Sequence, residues 1–173
     1  LSYQAREAAP RLTAAQIRKD GQTNALPWPE APDLLATRLK EARPGKTAVI
    51  ASASLTLEDL YMVRRLFADT LPSARIVVPG KSRGSDDALL IRADKNPNAA
   101  GARLAGLTVD DDHRQLAALL ADAAAGRFEL VVVLGEEGIE LAEAGKNSFV
   151  CVFSPFISAA VENADLALPA AGY

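Results

Sequence analysis

Five short apolar runs, separated by longer stretches of helical period, set the pattern of this chain. They are "TAVIAS" (Thr47 to Ser52), "ARIVV" (Ala74 to Val78), "FELVVVLG" (Phe128 to Gly135), "SFVCVF" (Ser148 to Phe153) and "DLALP" (Asp165 to Pro169). They are rich in β-branched residues, and the central ones do not alternate with polar positions. Such runs predict strands buried on both faces, as in a parallel sheet covered by helices. "PWPEAPDLLATRLKEA" predicts a helix starting between Trp28 and Asp33, with Leu35 and Leu39 on one face and "RPG" (Arg43 to Gly45) as its stop. Pro32 is tolerated there because it falls in or near the first turn. "TLEDLYMVRRLFADTL" predicts a second helix, capped by Thr56, with Glu58 and Asp59 at its positive end and an apolar stripe of Leu60, Val63 and Phe67. A third runs from about Asp112 to Ala125, with Leu116, Leu119, Leu120 and Ala123 on one face and Gly126 behind. Short helices are expected over Gly138 to Ala144 and within "FISAAVENA".

Residues 1–27 show no clean period and predict an irregular, mostly polar lead-in, with one helical turn near Ala14 to Arg18. From residue 28 to 173, strands alternate with helices. The expectation is an α/β fold: a three-layer, Rossmann-like domain joined by right-handed crossovers.

Composition narrows the function classes. At 173 residues and 49% hydrophobic, the chain has material for one domain with its own core. A net charge of −3 offers no basic face for a phosphate backbone, so no nucleic-acid partner is expected. One cysteine and one histidine exclude an internal disulfide and any cluster or zinc site built from several such ligands. Cys151, inside "FVCVF", reads as packing. No apolar run reaches the roughly 18–20 residues that span a bilayer, and no signal peptide is visible, so a soluble, cytosolic character is expected. The first residue is Leu1, which suggests a piece of a longer chain.

Open α/β sheets bind ligands at the carboxyl ends of their strands. "PGKSRG" holds the tail of a phosphate-binding loop, but Arg75 stands where that pattern needs its first glycine. "GEEG" lacks a dinucleotide fingerprint, and Glu136 and Glu137 are expected to start a helix and to repel a phosphate there. His113, after Asp110, Asp111 and Asp112, falls at a helix start, where acids are expected without any site. Ser54 and Ser154 lie in no nucleophile elbow. No catalytic, cofactor-binding or metal-binding residue is therefore assigned.

The polar stretch "LIRADKNPNAAG" (Leu90 to Gly101) stands apart, within a roughly 30-residue connection of the kind that carries function or an interface. Leu89 to Ile91 suggest a brief strand or buried turn. Asn96 precedes a proline and is held extended. Asn98 is placed to cap the helix "AAGARLA", which ends at Gly106. Gly101 would let that small-residue helix pack closely, and Arg92 and Asp94 are potential ion-pair partners. These five residues (Arg92, Asp94, Asn96, Asn98 and Gly101) are the structural or interface candidates.

"LIRADKNPNAAGARLAGL" resembles a segment of the large iron–sulfur subunit of bacterial NADH:quinone oxidoreductase (complex I), a member of the molybdopterin oxidoreductase superfamily. "ALPWPEA" (Ala25 to Ala31) is similar to that family's tryptophan-led helix start. "NADLALPAAGY" at the end resembles its AD-x-x-LP strand, which normally precedes a Glu-x-x-Gly-Thr stretch. The resemblance runs from about Trp28 onward and implies a five-stranded parallel sheet ordered 3-2-1-4-5. It implies a structural, non-catalytic domain of an electron-transfer complex that passes electrons from NADH to quinone. Its partners would be the other peripheral-arm subunits, with the complex holding it on the cytoplasmic side of the inner membrane and no membrane insertion of its own. Iron–sulfur clusters would lie elsewhere in the full-length subunit. The alternatives are a molybdopterin-binding domain of an active molybdenum oxidoreductase, or a small nucleotide-binding protein.

Overall fold

The computed structural model describes residues 10–71, 73–136 and 138–171. Among the described residues eight strands form one mixed, mostly parallel sheet: β1 (Ala15–Lys19), β2 (Gln22–Leu26), β3 (Thr47–Ala51), β4 (Arg75–Pro79), β5 (Val109–Asp110), β6 (Leu130–Leu134), β7 (Phe149–Ser154) and β8 (Leu166–Pro169). Five helices accompany them: α1 (Glu30–Glu41), α2 (Leu57–Val63, continuing as a π-helical segment Arg64–Thr70), α3 (Ala99–Leu104), α4 (Arg114–Ala124) and α5 (Ala159–Glu162). Strand order across the sheet is β2-β1-β8-β7-β6-β3-β4-β5, antiparallel only where β1 meets β2 and β8.

The five apolar runs all become strands. Successive residues of β3 and β6 point into different cores, which is why those runs do not alternate. On one face Ile50, Val131 and Val133 pack with Leu119 and Ala123 of α4 and Val161 of α5. On the other, Val49, Val132 and Leu166 pack with Leu35 of α1, Leu60, Val63 and Phe67 of the α2 segment, and Ala102 of α3. Leu60 and Leu119 are fully buried, so truncating either to alanine is expected to cost about 2–5 kcal/mol. The Thr56 hydroxyl accepts from the Asp59 N–H at 3.1 Å, while the Asp59 carboxylate takes the Thr56 N–H at 3.3 Å, a reciprocal cap on α2.

Several expectations are corrected. The five-strand order 3-2-1-4-5 is not found. It would set Phe128–Gly135 beside Ala74–Val78, but β6 pairs with β3 and β7, and the two-residue β5 takes the place beside β4. Residues 15–26 are neither irregular nor helical. They form a hairpin whose two-residue turn, Asp20 (φ 52°) and Gly21 (φ 75°), has the left-handed backbone of a type I′ connection. The hairpin joins the sheet through Gln16 and Ile17 opposite Ala167 and Leu166. No helix covers Gly138 to Ala144, where the chain runs irregularly to a 3-10 turn, Ala144–Lys146. Ile139 and Leu141, two apart, are both buried, which suits an extended segment and not a helical one. Among the described residues no helix is long and apolar enough to cross a membrane.

Candidate functional site: a crevice at the carboxyl ends of the strands

From β3 the chain winds outward through β4 to β5, then crosses back to β6 and winds outward the other way through β7 and β8. Loops leaving β3 and β6 therefore part in opposite directions, and a crevice opens between them. Its volume is about 1700 Å³. Ser52 to Ser54 lie at its floor, with Gly80 and Lys81 on one side and Gly135 and Glu136 on the other. Met62 and Leu66 of the α2 segment form an apolar wall, and both are exposed to solvent. Arg11 stacks on the Phe156 ring at 5.3 Å near the far rim.

Local sequence explains how the crevice is held. Gly80 sits where a Cβ would come within 2.7 Å of Val109 and 2.6 Å of Asp111, so only glycine lets β5 approach. The Gly80 N–H donates to the Asp110 carbonyl at 3.1 Å, and the His113 ring Nε2 donates to the Gly80 carbonyl. His113 has φ 59°, a left-handed backbone for a non-glycine residue. The Asp110 carboxylate accepts the Leu116 N–H at 2.8 Å. Asp110 and Asp112, whose carboxylate accepts the Arg114 N–H at 3.3 Å, thus serve the start of α4, which begins at Arg114, whereas Asp111 faces Arg103 at 3.5 Å and Asp110 also closes a strand.

The five candidate residues separate into three groups. Asn96 and Asn98 brace the crevice. Asn96 Oδ1 accepts the Lys81 N–H at 2.6 Å, tying the loop after β4. Asn98 donates its N–H to the Ala53 carbonyl at 2.9 Å and its Nδ2 to the Leu55 carbonyl at 2.8 Å, while its Oδ1 caps α3 through the Gly101 N–H at 3.1 Å. Asp94 stands behind them. The Asn96 N–H, the Asn96 side chain and then Arg103 at 3.3 Å hold its carboxyl below the ordinary value. Its ion-pair partner is therefore Arg103 and not Arg92, whose carbonyl accepts from Lys95. Gly101 is buried, but a Cβ there would collide with the Asn98 side chain (2.6 Å to its Cγ), so the close neighbour is the cap itself and not another helix. Leu89 to Ile91 form no strand and no buried turn; they are exposed.

The crevice assembles few free reactive groups. Cys151 is fully buried in β7, and burial raises its thiol far above the ordinary value. The Ser154 hydroxyl donates to the Phe156 carbonyl at 2.8 Å. Among the described residues no three His, Cys, Asp or Glu side chains gather in a way that could hold a metal ion. The acidic-helix argument at "GEEG" does not stand: no helix begins after Gly135, and Glu137 lies outside the described residues. Sequence reasoning missed the His113–Gly80 contact, which depends on a left-handed residue that no spacing announces, and missed the exposed Met62 and Leu66.

Several backbone donors at the strand ends are engaged. Gly135 N–H goes to the Phe153 carbonyl at 2.9 Å and Ala170 N–H to the Ser154 carbonyl at 3.1 Å. Ser54 N–H goes to the Ser52 hydroxyl at 3.1 Å and Phe156 N–H to the Ser154 hydroxyl at 3.1 Å. With Gly80 and Lys81 bonded as above, six amides near the crevice donate to acceptors in the protein's own strands and loops. No family model matches the chain, and no curated protein matches it.

Proposed function

We propose that the chain is a structural, non-catalytic domain of the large iron–sulfur subunit of NADH:quinone oxidoreductase. In this reading it has a Rossmann-like fold; counted along the chain from β3, its six parallel strands stand in the order 3-2-1-4-5-6. It holds no cofactor of its own, and the clusters that carry electrons lie elsewhere in the full-length subunit. Its partners are the other peripheral-arm subunits, which keep it at the cytoplasmic face of the inner membrane.

The observation that carries the reading is the use made of the resemblance-bearing stretch. Asn96 and Asn98 spend their side chains on Lys81, Leu55 and Gly101 of this same chain, which is scaffold work. The engaged strand-end amides point the same way, because phosphate recognition at such sheets relies on free backbone N–H groups.

The size of the crevice, about 1700 Å³, favours a second reading, a molybdopterin-binding domain. Lys81 and Arg11 could meet a phosphate there, but six strand-end amides are bonded within the protein and one wall is apolar. The residues do not fit the group, and no reaction step is derived through it. Titration of the protein with ATP, NAD or a pterin nucleotide distinguishes the readings. The structural reading expects no saturable signal below roughly millimolar, about −4 kcal/mol; micromolar binding of any of them would overturn it.

A further inference from the structure

The stretch Arg64–Thr70 continues α2 in a π register, in which each backbone hydrogen bond spans five residues instead of four. Two side-chain contacts share that spacing. The Arg64 Nε donates to the Asp69 carboxylate at 3.0 Å, and the Thr70 hydroxyl donates to the Arg65 carbonyl at 2.9 Å. Each joins residues five apart, so each holds the wider turn. The Arg64 guanidinium also donates to the Gly106 carbonyl at 3.2 Å, which fixes the start of the segment against the turn after α3.

The sequence of the same segment suits the other register. Leu60, Val63, Phe67 and Leu71 follow one another at intervals of three, four and four, the spacing of one α-helical face. In the π register Leu60, Val63 and Phe67 are buried, but Leu71 is only partly so. Asp69 has an α-spaced partner at hand as well. Arg65, four residues before it, stands at 3.8 Å, too long for a hydrogen bond. One carboxylate thus lies between two guanidiniums, one at the π spacing and one at the α spacing. Leu66 and Phe67 both border the crevice, and Leu66 is exposed, so open space lies beside the part that would turn.

We propose that this segment is a two-register device in the crevice wall. Asp69 exchanges Arg64 for Arg65, the π turn tightens to an α turn, and the residues after Arg64 advance around the helix axis. Phe67 and Leu71 then complete the stripe begun by Leu60 and Val63, Leu66 swings along the crevice, and the connection to β4 takes up the slack. Short π segments inside α-helices gather at functional sites, and two packings with competing contacts of similar strength are what a bistable element needs. The inference goes beyond the structural reading above and does not depend on it.

Fluorine NMR of the full-length protein tests the proposal. Phe67→p-fluorophenylalanine is the probe, because the para fluorine lies on the ring-flip axis and ring flips do not split its signal. Two fluorine environments are expected, as two resonances or as one broadened by exchange. Thr70→Val removes a π-spaced contact and should favour the α register. Arg64→Gln removes the other and should act in the same direction. Arg65→Gln removes the α-spaced partner and should favour the π register. The population ratio, read from the two areas or from the averaged shift, should therefore differ by at least about twofold between Thr70→Val and Arg65→Gln, on opposite sides of the parent. All three residues lie at least partly in solvent, so the variants should melt near the parent. A single sharp resonance in the parent, a ratio that no replacement moves, or a ratio that all move the same way would overturn the proposal.

Discussion

At the residue scale, Asn98 and Gly101 act as one unit. Asn98 joins α3 to the floor of the crevice, and only a glycine at 101 leaves the Asn98 amide room. Asn98→Ala should cost about 1 kcal/mol for the cap and a further ~1 kcal/mol for the stranded Leu55 carbonyl. Gly101→Ala should cost about 1–3 kcal/mol in the parent, because the new methyl must displace the pinned amide. In the Asn98→Ala background the same change should be neutral or stabilising by up to about 1 kcal/mol, alanine being the better helix former. Urea melts of the four proteins give the coupling, and simple additivity would contradict the account. The sequence showed the cap but not the reason for the glycine, since a side chain folded back over its own helix leaves no mark in periodicity. Asp165 supplies a pH test. Burial raises its carboxyl above the ordinary value, only partly offset by the Val150 N–H at 2.7 Å and the charges of Arg18 and Arg38. The folded state binds this proton more tightly than the unfolded chain does. The cost of ionising it is therefore absent below the unfolded value, about 3.9, and grows as pH rises through the folded one. Asp165→Asn keeps an acceptor for Val150 and should gain in melting temperature relative to the parent between pH 3 and pH 7. A difference independent of pH would show that the carboxyl is not raised.

At the element scale, the β1–β2 hairpin carries a test of its own. Gly21 has φ 75° and open space around a would-be Cβ, so substitution there reports backbone strain alone. Gly21→Val should cost about 1–2 kcal/mol and act locally. Hydrogen exchange should speed up at Ile17 and Arg18, where β1 adjoins β8, and stay slow at Val131 and Val133 in β6. Uniform loss of protection would mean that the hairpin and the parallel strands form a single cooperative unit. This hairpin was legible: Asp20-Gly21 is the strongest short turn signal of its kind, yet its polar strands, with residues 22–25 all exposed, hide the usual alternation. β5 was not legible, because two residues held by Val78 and Pro79 have no period to detect. The central strands were plain because both of their faces are buried.

At the scale of the whole molecule, the sheet order creates the crevice, and the two asparagines brace the loops around it. The α/β class followed from the alternation of apolar runs with helical stretches. The strand order did not, because order is set by which loops cross over, and the short strand that decides it follows the long polar connection. A structural role in an NADH-oxidising complex is tested most directly by native electrophoresis. Gently solubilised membranes from cells carrying a tagged full-length protein are separated, NADH reductase activity is stained in the gel, and molybdenum is measured in the same band. The tag should migrate with the NADH reductase band, at a mass far above that of one subunit, and the band should hold no molybdenum in proportion to the protein. A tag that migrates apart from the NADH reductase activity, or a tagged band holding one molybdenum per chain, would contradict this role.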